Sequence, residues 1–234
     1  MTRAIDPAHS APDRSFTMFD YAAAREHMID SQVRTNDVTD PDIHNALRRV
    51  PREAFLPASK QALAYSDTNV VTDEGRVMMR PRDFAKLVHL ADIKPTDVVL
   101  NIAAGRGYAA AVLSHLADTV VGVEETEEMA DRASDLLMAQ NVVNAAVVQS
   151  DLKSGAPEHG PFNVIFVGGA VDEVPKTWLD QLASGGRLVV VQPYGPVGQA
   201  RLYTKTGNAI GDRIAFDASV PLLPGFEPAM EFVL

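Results

Sequence analysis

Val98-Val99-Leu100-Asn101-Ile102-Ala103-Ala104-Gly105-Arg106-Gly107-Tyr108-Ala109-Ala110-Ala111-Val112-Leu113 decides how this chain is read. Its first five residues are apolar or β-branched apart from Asn101. A run of β-branched and apolar residues of that length reads as a buried parallel strand. Small residues and two glycines follow, then an alanine-rich segment with helical spacing. Strand, tight glycine turn and helix start form the layout that accepts a nucleotide-like ligand. Glycine lets the backbone approach the ligand, and the free N–H groups of the first helical turn face its polar atoms.

Gly105-x-Gly107-x-x-Ala110 is a weak motif alone, and its surroundings strengthen it. A second strand, 119–123, leads to Glu124 about 20 residues on, where an acidic side chain accepts hydrogen bonds from ribose hydroxyls. Carboxylates here also favour a helix start, so Glu124 is expected on the ribose and Glu125, Glu127 and Glu128 on the following helix. Beyond, strands at 145–149, 162–168 and 187–192 alternate with helices at 126–140 and 174–182, and Gly185-Gly186 turns into the last strand. Such alternation implies a parallel sheet with helices on both faces and a ligand at the carboxyl ends of the strands. After Gln192 the segments 200–204, 213–221 and 229–233 read as strands without helices, an antiparallel edge. The expected fold is α/β, Rossmann-like, closed by a C-terminal antiparallel hairpin.

Upstream, 19–34 carries apolar residues at helical spacing, and Thr39-Asp40-Pro41-Asp42 is a helix start with proline in the first turn. Pro51 and Pro57 bracket an irregular linker, 59–65 reads as a short helix, and 67–80 as an extended, exposed loop. Pro81 opens the next helix. Residues 1–17 are polar, lack the apolar core of a secretory signal and read as a disordered tail, with 18–80 a helical extension and 81–234 the main domain.

The 234 residues contain no cysteine, which removes disulfides and thiolate sites and fits a cytoplasmic protein. No apolar window is long enough to span a membrane. The formal net charge of −10 disfavours nucleic acids and anionic membranes. Arg76, Arg80, Arg82 and Lys86 form a local basic exception.

Several blocks go beyond a generic cofactor loop: Ser31-Gln32-Val33-Arg34-Thr35, Val50-Pro51-Arg52-Glu53-Ala54-Phe55-Leu56-Pro57, Ala64-Tyr65-Ser66-Asp67, Gly105-Arg106-Gly107-Tyr108, Val121-Gly122-Val123-Glu124, Gly185-Gly186-Arg187-Leu188 and Val220-Pro221-Leu222. In these the chain resembles the protein-L-isoaspartate (D-aspartate) O-methyltransferases, over about residues 28–223. The resemblance implies S-adenosyl-L-methionine as cofactor and an isoaspartyl peptide or protein, or another carboxylate, as substrate. It implies that Ala103, Ala104, Gly105 and Gly107 hold the methionine portion, Glu124 the ribose, and Asp151 with Leu152 the adenine. Asp151 also reads as a plain turn residue.

Departures from the family pattern are specific. Asn101 stands for an acid, Ala103 for glycine, and Ala104 for a hydroxyl residue. The substrate loop, Thr-Ile-Ser then Gln or Ala and Pro in the family, reads Val77-Met78-Met79-Arg80-Pro81, and Leu223 replaces a threonine. No base is required, because a carboxylate is already ionised at neutral pH. Alignment is required, and a misplacement of roughly 1 Å costs about 10²-fold in rate. Arg80 could fork a carboxylate or merely solvate a helix entrance; Met79 could line the substrate pocket or pack. Two other readings stand beside the methyltransferase: a family member that has lost catalysis and binds a nucleoside ligand, and a nucleotide-dependent oxidoreductase, against which the strand-only C-terminus and the Val50–Pro57 block speak.

Overall fold

The computed structural model describes residues 20–195 and 197–228. The expected strand at 229–233 and the tail at 1–17 lie outside them. The central stretch forms β3 (Val98–Ile102), the glycine turn, and α4 (Tyr108–Ser114). β4 (Thr119–Glu124), α5 (Glu127–Ala139), β5 (Ala145–Gln149), β6 (Phe162–Ala170), α6 (Lys176–Asp180) and β7 (Leu182–Gln192) follow. β8 (Gly198–Thr206) and β9 (Ala209–Ala218) close the sheet.

The seven-stranded sheet has the order β5-β4-β3-β6-β7-β8-β9. β5 to β7 run parallel; β8 and β9 are antiparallel. The expected α/β architecture with an antiparallel C-terminal edge is therefore present. Chain order reverses on either side of β3, so a crevice opens beyond the carboxyl ends of β3, β4 and β6. The apolar runs are explained by burial on both faces. Val99, Val164, Phe166, Val189 and Val191 enter one core cluster; Leu100, Ile102, Ile165, Val167, Leu188 and Val190 enter the other.

The first cluster is covered by α3 (Pro81–Ala91), α4 and α5 and by the N-terminal elements: α1 (Tyr21–Met28), the π turn Ile29–Val33 and α2 (Pro41–Arg49). Asp40 caps α2 by accepting from the Asp42 N–H, with Pro41 in the first turn as expected. Thr126 caps α5 by accepting from Met129 N–H.

Several boundaries differ from expectation. The short helix at 59–65 is a 3₁₀ turn, Ala58–Leu63. The helix at 174–182 shortens to α6, because β7 begins at Leu182 and runs through Gly185-Gly186 with a shift of register. The linker between Pro51 and Pro57 is a 3₁₀ turn whose Arg52 and Phe55 are buried. Arg52 donates to the carbonyls of Ala64 and Met79, and its guanidinium lies 4.9 Å from the Tyr108 ring centroid. The exposed loop expected at 67–80 is instead a hairpin, β1 (Val70–Val71) and β2 (Val77–Met78), with Thr72, Arg76, Met78 and Met79 buried. Among the described residues no helix is long and apolar enough to cross a membrane.

Candidate functional site

β3 delivers the chain into a loop that only positive φ angles allow: +54° at Ala103, +60° at Gly105 and +92° at Gly107. Glycine reaches this region freely, whereas alanine is strained there. The turn is held by Gly107 N–H donating to Ala104 O (3.0 Å), and Ala104 N–H reaches Val123 O on β4 (3.2 Å).

At the end of β4 the Glu124 side chain is wholly buried and turned toward this loop, accepting from Gly105 N–H at 2.6 Å. The Glu125 N–H donates to Oε2 at 3.3 Å, and the remaining contacts come from the hairpin. Arg76 Nε donates to Oε1 and Oε2 at 3.1 Å each, and Nη2 to Oε2 at 2.9 Å. Nη2 also reaches Glu125 Oε2 at 2.6 Å, so Glu125 serves Arg76 and not the helix start. Burial pushes the Glu124 carboxyl above its ordinary range, and Arg76 with the Gly105 and Glu125 N–H groups pulls it back only in part. On Arg76, burial favours loss of the proton, and the Glu124 and Glu125 carboxylates more than reverse that. Charge on this strand-end carboxylate thus depends on donors brought to it.

The hairpin is tied down from its other side as well. Glu74, one residue before the turn glycine, accepts from Arg106 Nη1 (2.6 Å) of the glycine loop and Arg132 Nη1 (2.9 Å) of α5. Burial opposes ionisation of Glu74. Hydrogen bonds from its own backbone and Thr72, with the Arg106 charge, outweigh it and hold the carboxyl below the usual range.

Between hairpin, glycine loop and β6 lies a cavity of about 40 Å³, walled by Phe55, Val77, Met79, Phe84, Phe166 and Ala103 among others. Ala104, Gly105 and Arg106 also line it, as do Met78 and Tyr108. The predicted residues Met79, Ala103, Ala104 and Gly105 therefore share one cavity, with Glu124 behind it. The others stand apart. Gly107 is the N-cap of α4, its position packed against α5. Arg80 Nε donates to Asp83 Oδ2 (2.8 Å) at the entrance of α3, away from the cavity lining. Asp151, after β5, accepts from the Ser154 N–H (2.9 Å) and Oγ (2.8 Å) as a turn residue does. Leu152 is buried in the second core cluster, and its carbonyl accepts from Trp178 Nε1 (2.7 Å). The basic cluster is consumed by partners: Arg82 also meets Asp83, and Lys86 lies over the Phe216 ring.

The family model described as protein-L-isoaspartate(D-aspartate) O-methyltransferase matches residues 23–215. The chain belongs to the protein-L-isoaspartate O-methyltransferase family. Relatives in that family include a Roseiflexus sp. protein, 40% identical over 212 residues, which cover 88% of this chain and 94% of that one. One from Methanoculleus marisnigri is 37% identical over 172 residues, 74% of this chain and 77% of the relative. A solved protein-L-isoaspartate O-methyltransferase superposes with a TM-score of 0.76 at 28% identity, over 86% of this chain and 66% of that one. A Plasmodium falciparum family structure, described in complex with S-adenosyl-L-homocysteine, matches in fold with a TM-score of 0.73 at 19% identity over 88% of this chain and 99% of that one. The family expected from the sequence is thus the family found, and S-adenosylmethionine is its cofactor.

The donor set suits that cofactor in chemistry: a buried strand-end carboxylate beside a positive-φ loop. Volume does not suit it in this conformation. Ligand pockets for molecules of drug size measure about 300–1,000 Å³, against about 40 Å³ here. Arg76 stands over the loop. Its Cβ and Cγ lie 3.5 and 3.9 Å from where a side chain on Gly105 would begin. Sequence reading missed this role of Arg76. The signal was available: a carboxylate expected inside an apolar crevice needs a cation, and Arg76 stands in the adjoining loop.

Proposed function

We propose that the chain is a methyltransferase that esterifies carboxylates on damaged aspartyl residues of proteins, using S-adenosylmethionine. The observation that carries this reading is the Glu124 carboxylate, buried at the carboxyl end of β4 and aimed at the Gly105 N–H. Glu124 would hold the ribose hydroxyls, the Ala103–Gly107 loop the methionine portion, and Asp151 the adenine amino group. The bound cofactor supplies an electrophilic methyl group on a sulfonium. The chain's own part is to orient an ionised carboxylate and keep water away, since no proton need be moved from it. Phe84, Phe166, Val77 and Met79 give the cavity an apolar wall suited to excluding water. These four offer no hydroxyl to the substrate carboxylate, which leaves Thr72 and Tyr108 as the hydroxyl-bearing residues of the lining, and a misplacement of roughly 1 Å would cost about 10²-fold in rate.

Transfer of tritiated methyl to an isoaspartyl peptide tests the proposal, with release of base-labile methanol as the product assay. Label on the isoaspartyl peptide and not on its aspartyl counterpart, lost in Glu124→Ala, is the expected result. Binding of S-adenosylhomocysteine with no transfer to any carboxylate would favour a second reading, a ligand-binding member without catalysis. The apolar residues at 77 and 79 motivate that alternative. The proposal includes a cytoplasmic site of action, which cell fractionation tests.

A further inference from the structure

We infer that Arg76 is a built-in occupant of the ribose seat, and that a nucleoside reaches Glu124 only by displacing the β1–β2 hairpin. This rests on the cofactor reading above and adds to it a residue that sets how tightly, and in what order, ligands bind. Three observations carry it. Arg76 engages both oxygens of Glu124, the atoms a ribose diol would use. Its aliphatic stem covers Gly105, the loop position where close backbone approach is available. The hairpin is then pinned by a reciprocal contact of opposite sign, Glu74 of the hairpin on Arg106 of the glycine loop and Arg132 of α5.

The two halves work as a clasp. Arg76 reaches from hairpin to β4, and Arg106 reaches from the cofactor loop back to the hairpin. Charge is balanced within the closed form, so no buried ion is left unpaired while the seat is empty. A ribose diol donates two hydroxyl hydrogen bonds to Glu124 in place of the guanidinium. It leaves Arg76 to be rehydrated outside, and the cost of opening is subtracted from the observed affinity. The same hairpin carries Val77 and Met78 and leads directly into Met79, so the wall facing the substrate moves with the cofactor's gate. Cofactor binding therefore precedes formation of a productive substrate wall.

Calorimetric titration of the full chain with S-adenosylhomocysteine decides the point. Arg76→Ala should bind at least tenfold more tightly than the wild type. Glu74→Gln, which loosens the hairpin while leaving Arg76 and Glu124 intact, should tighten binding about threefold and keeps the test available if Arg76→Ala fails to fold. Unchanged or weaker binding in the folded variants, alongside binding by the wild type, overturns the clasp and leaves the methyltransferase reading standing. Absence of binding in all the proteins overturns that reading and the clasp with it.

Discussion

Ala103→Gly isolates the backbone strain on which the loop geometry turns. Ala103 sits at φ +54° and is 4% exposed. An L-residue in the left-handed region costs about 1–2 kcal/mol, which glycine recovers. Against this stand about 0.5–1 kcal/mol for the greater freedom of glycine in the unfolded chain and about 0.8 kcal/mol for one buried methyl. The terms nearly cancel, so the exchange is expected to be neutral within about 0.5 kcal/mol. The control is Ala110→Gly, in the interior of α4 and 0% exposed. There no strain is relieved, and the same losses sum to about 1.3–1.8 kcal/mol. For a domain of this size 1 kcal/mol moves the melting temperature by about 2–4 °C. Thermal unfolding followed by circular dichroism should therefore show Ala103→Gly within about 2 °C of the wild type and Ala110→Gly lower by about 3–7 °C. Equal losses in the two variants would refute the claim that residue 103 is held under strain. Since the Ala103 methyl also walls the cavity, the neutral variant should bind S-adenosylhomocysteine more tightly.

Gly168→Ala should abolish cooperative folding or lose about 3 kcal/mol or more in urea titration, because its Cβ would lie 2.2 Å from Ala103 O and 3.0 Å from Ile102 O, both backbone atoms that cannot yield. Arg52→Met should lower stability by about 2 kcal/mol, since the Ala64 and Met79 carbonyls lose a buried donor while the removal of a buried charge offsets part of the loss. Glu74 is held below its unfolded value near 4.3, so its contribution is complete above that pH and is lost as pH falls through the folded value. Urea midpoints of wild type and Glu74→Gln should accordingly differ at neutral pH and converge in acid; a gap that widened toward low pH would contradict the assignment.

The sheet and its glycine turn were legible in sequence because both rest on local or periodic signals. Apolar strands buried on two faces need no partner to be recognised, and a glycine turn before an alanine-rich helix is contiguous. The hairpin at 70–78 gave no such signal. Its strands are two residues long, and Gly75 in its turn looks like any loop glycine. What buries this segment is Arg76 meeting Glu124, 48 residues away in sequence, and Glu74 meeting Arg106 and Arg132. Local propensity cannot encode contacts of that range. Arg80 shows the converse. It fitted the substrate loop in sequence, yet Asp83, three residues on, takes its guanidinium along the first turn of α3.

These long-range charges bear on what the family match means for this chain. A carboxylate at the end of β4 is a cofactor residue only if something else does not hold it. In the closed form its charge is matched by a guanidinium from the loop whose neighbours would touch the substrate. The departures at residues 77–79 and 103–104 meet across one cavity, which Arg76 also lines. In the proposed clasp the hairpin sets Arg76 on Glu124, the residue assigned to the ribose, while Val77 and Met79 line the cavity where the family pattern has hydroxyls. Restoring a serine at Met79 alone would leave the seat filled. Only a variant that also frees Glu124, such as Arg76→Ala with Met79→Ser, changes both, and its transfer rate should exceed the product of the gains in the two single variants.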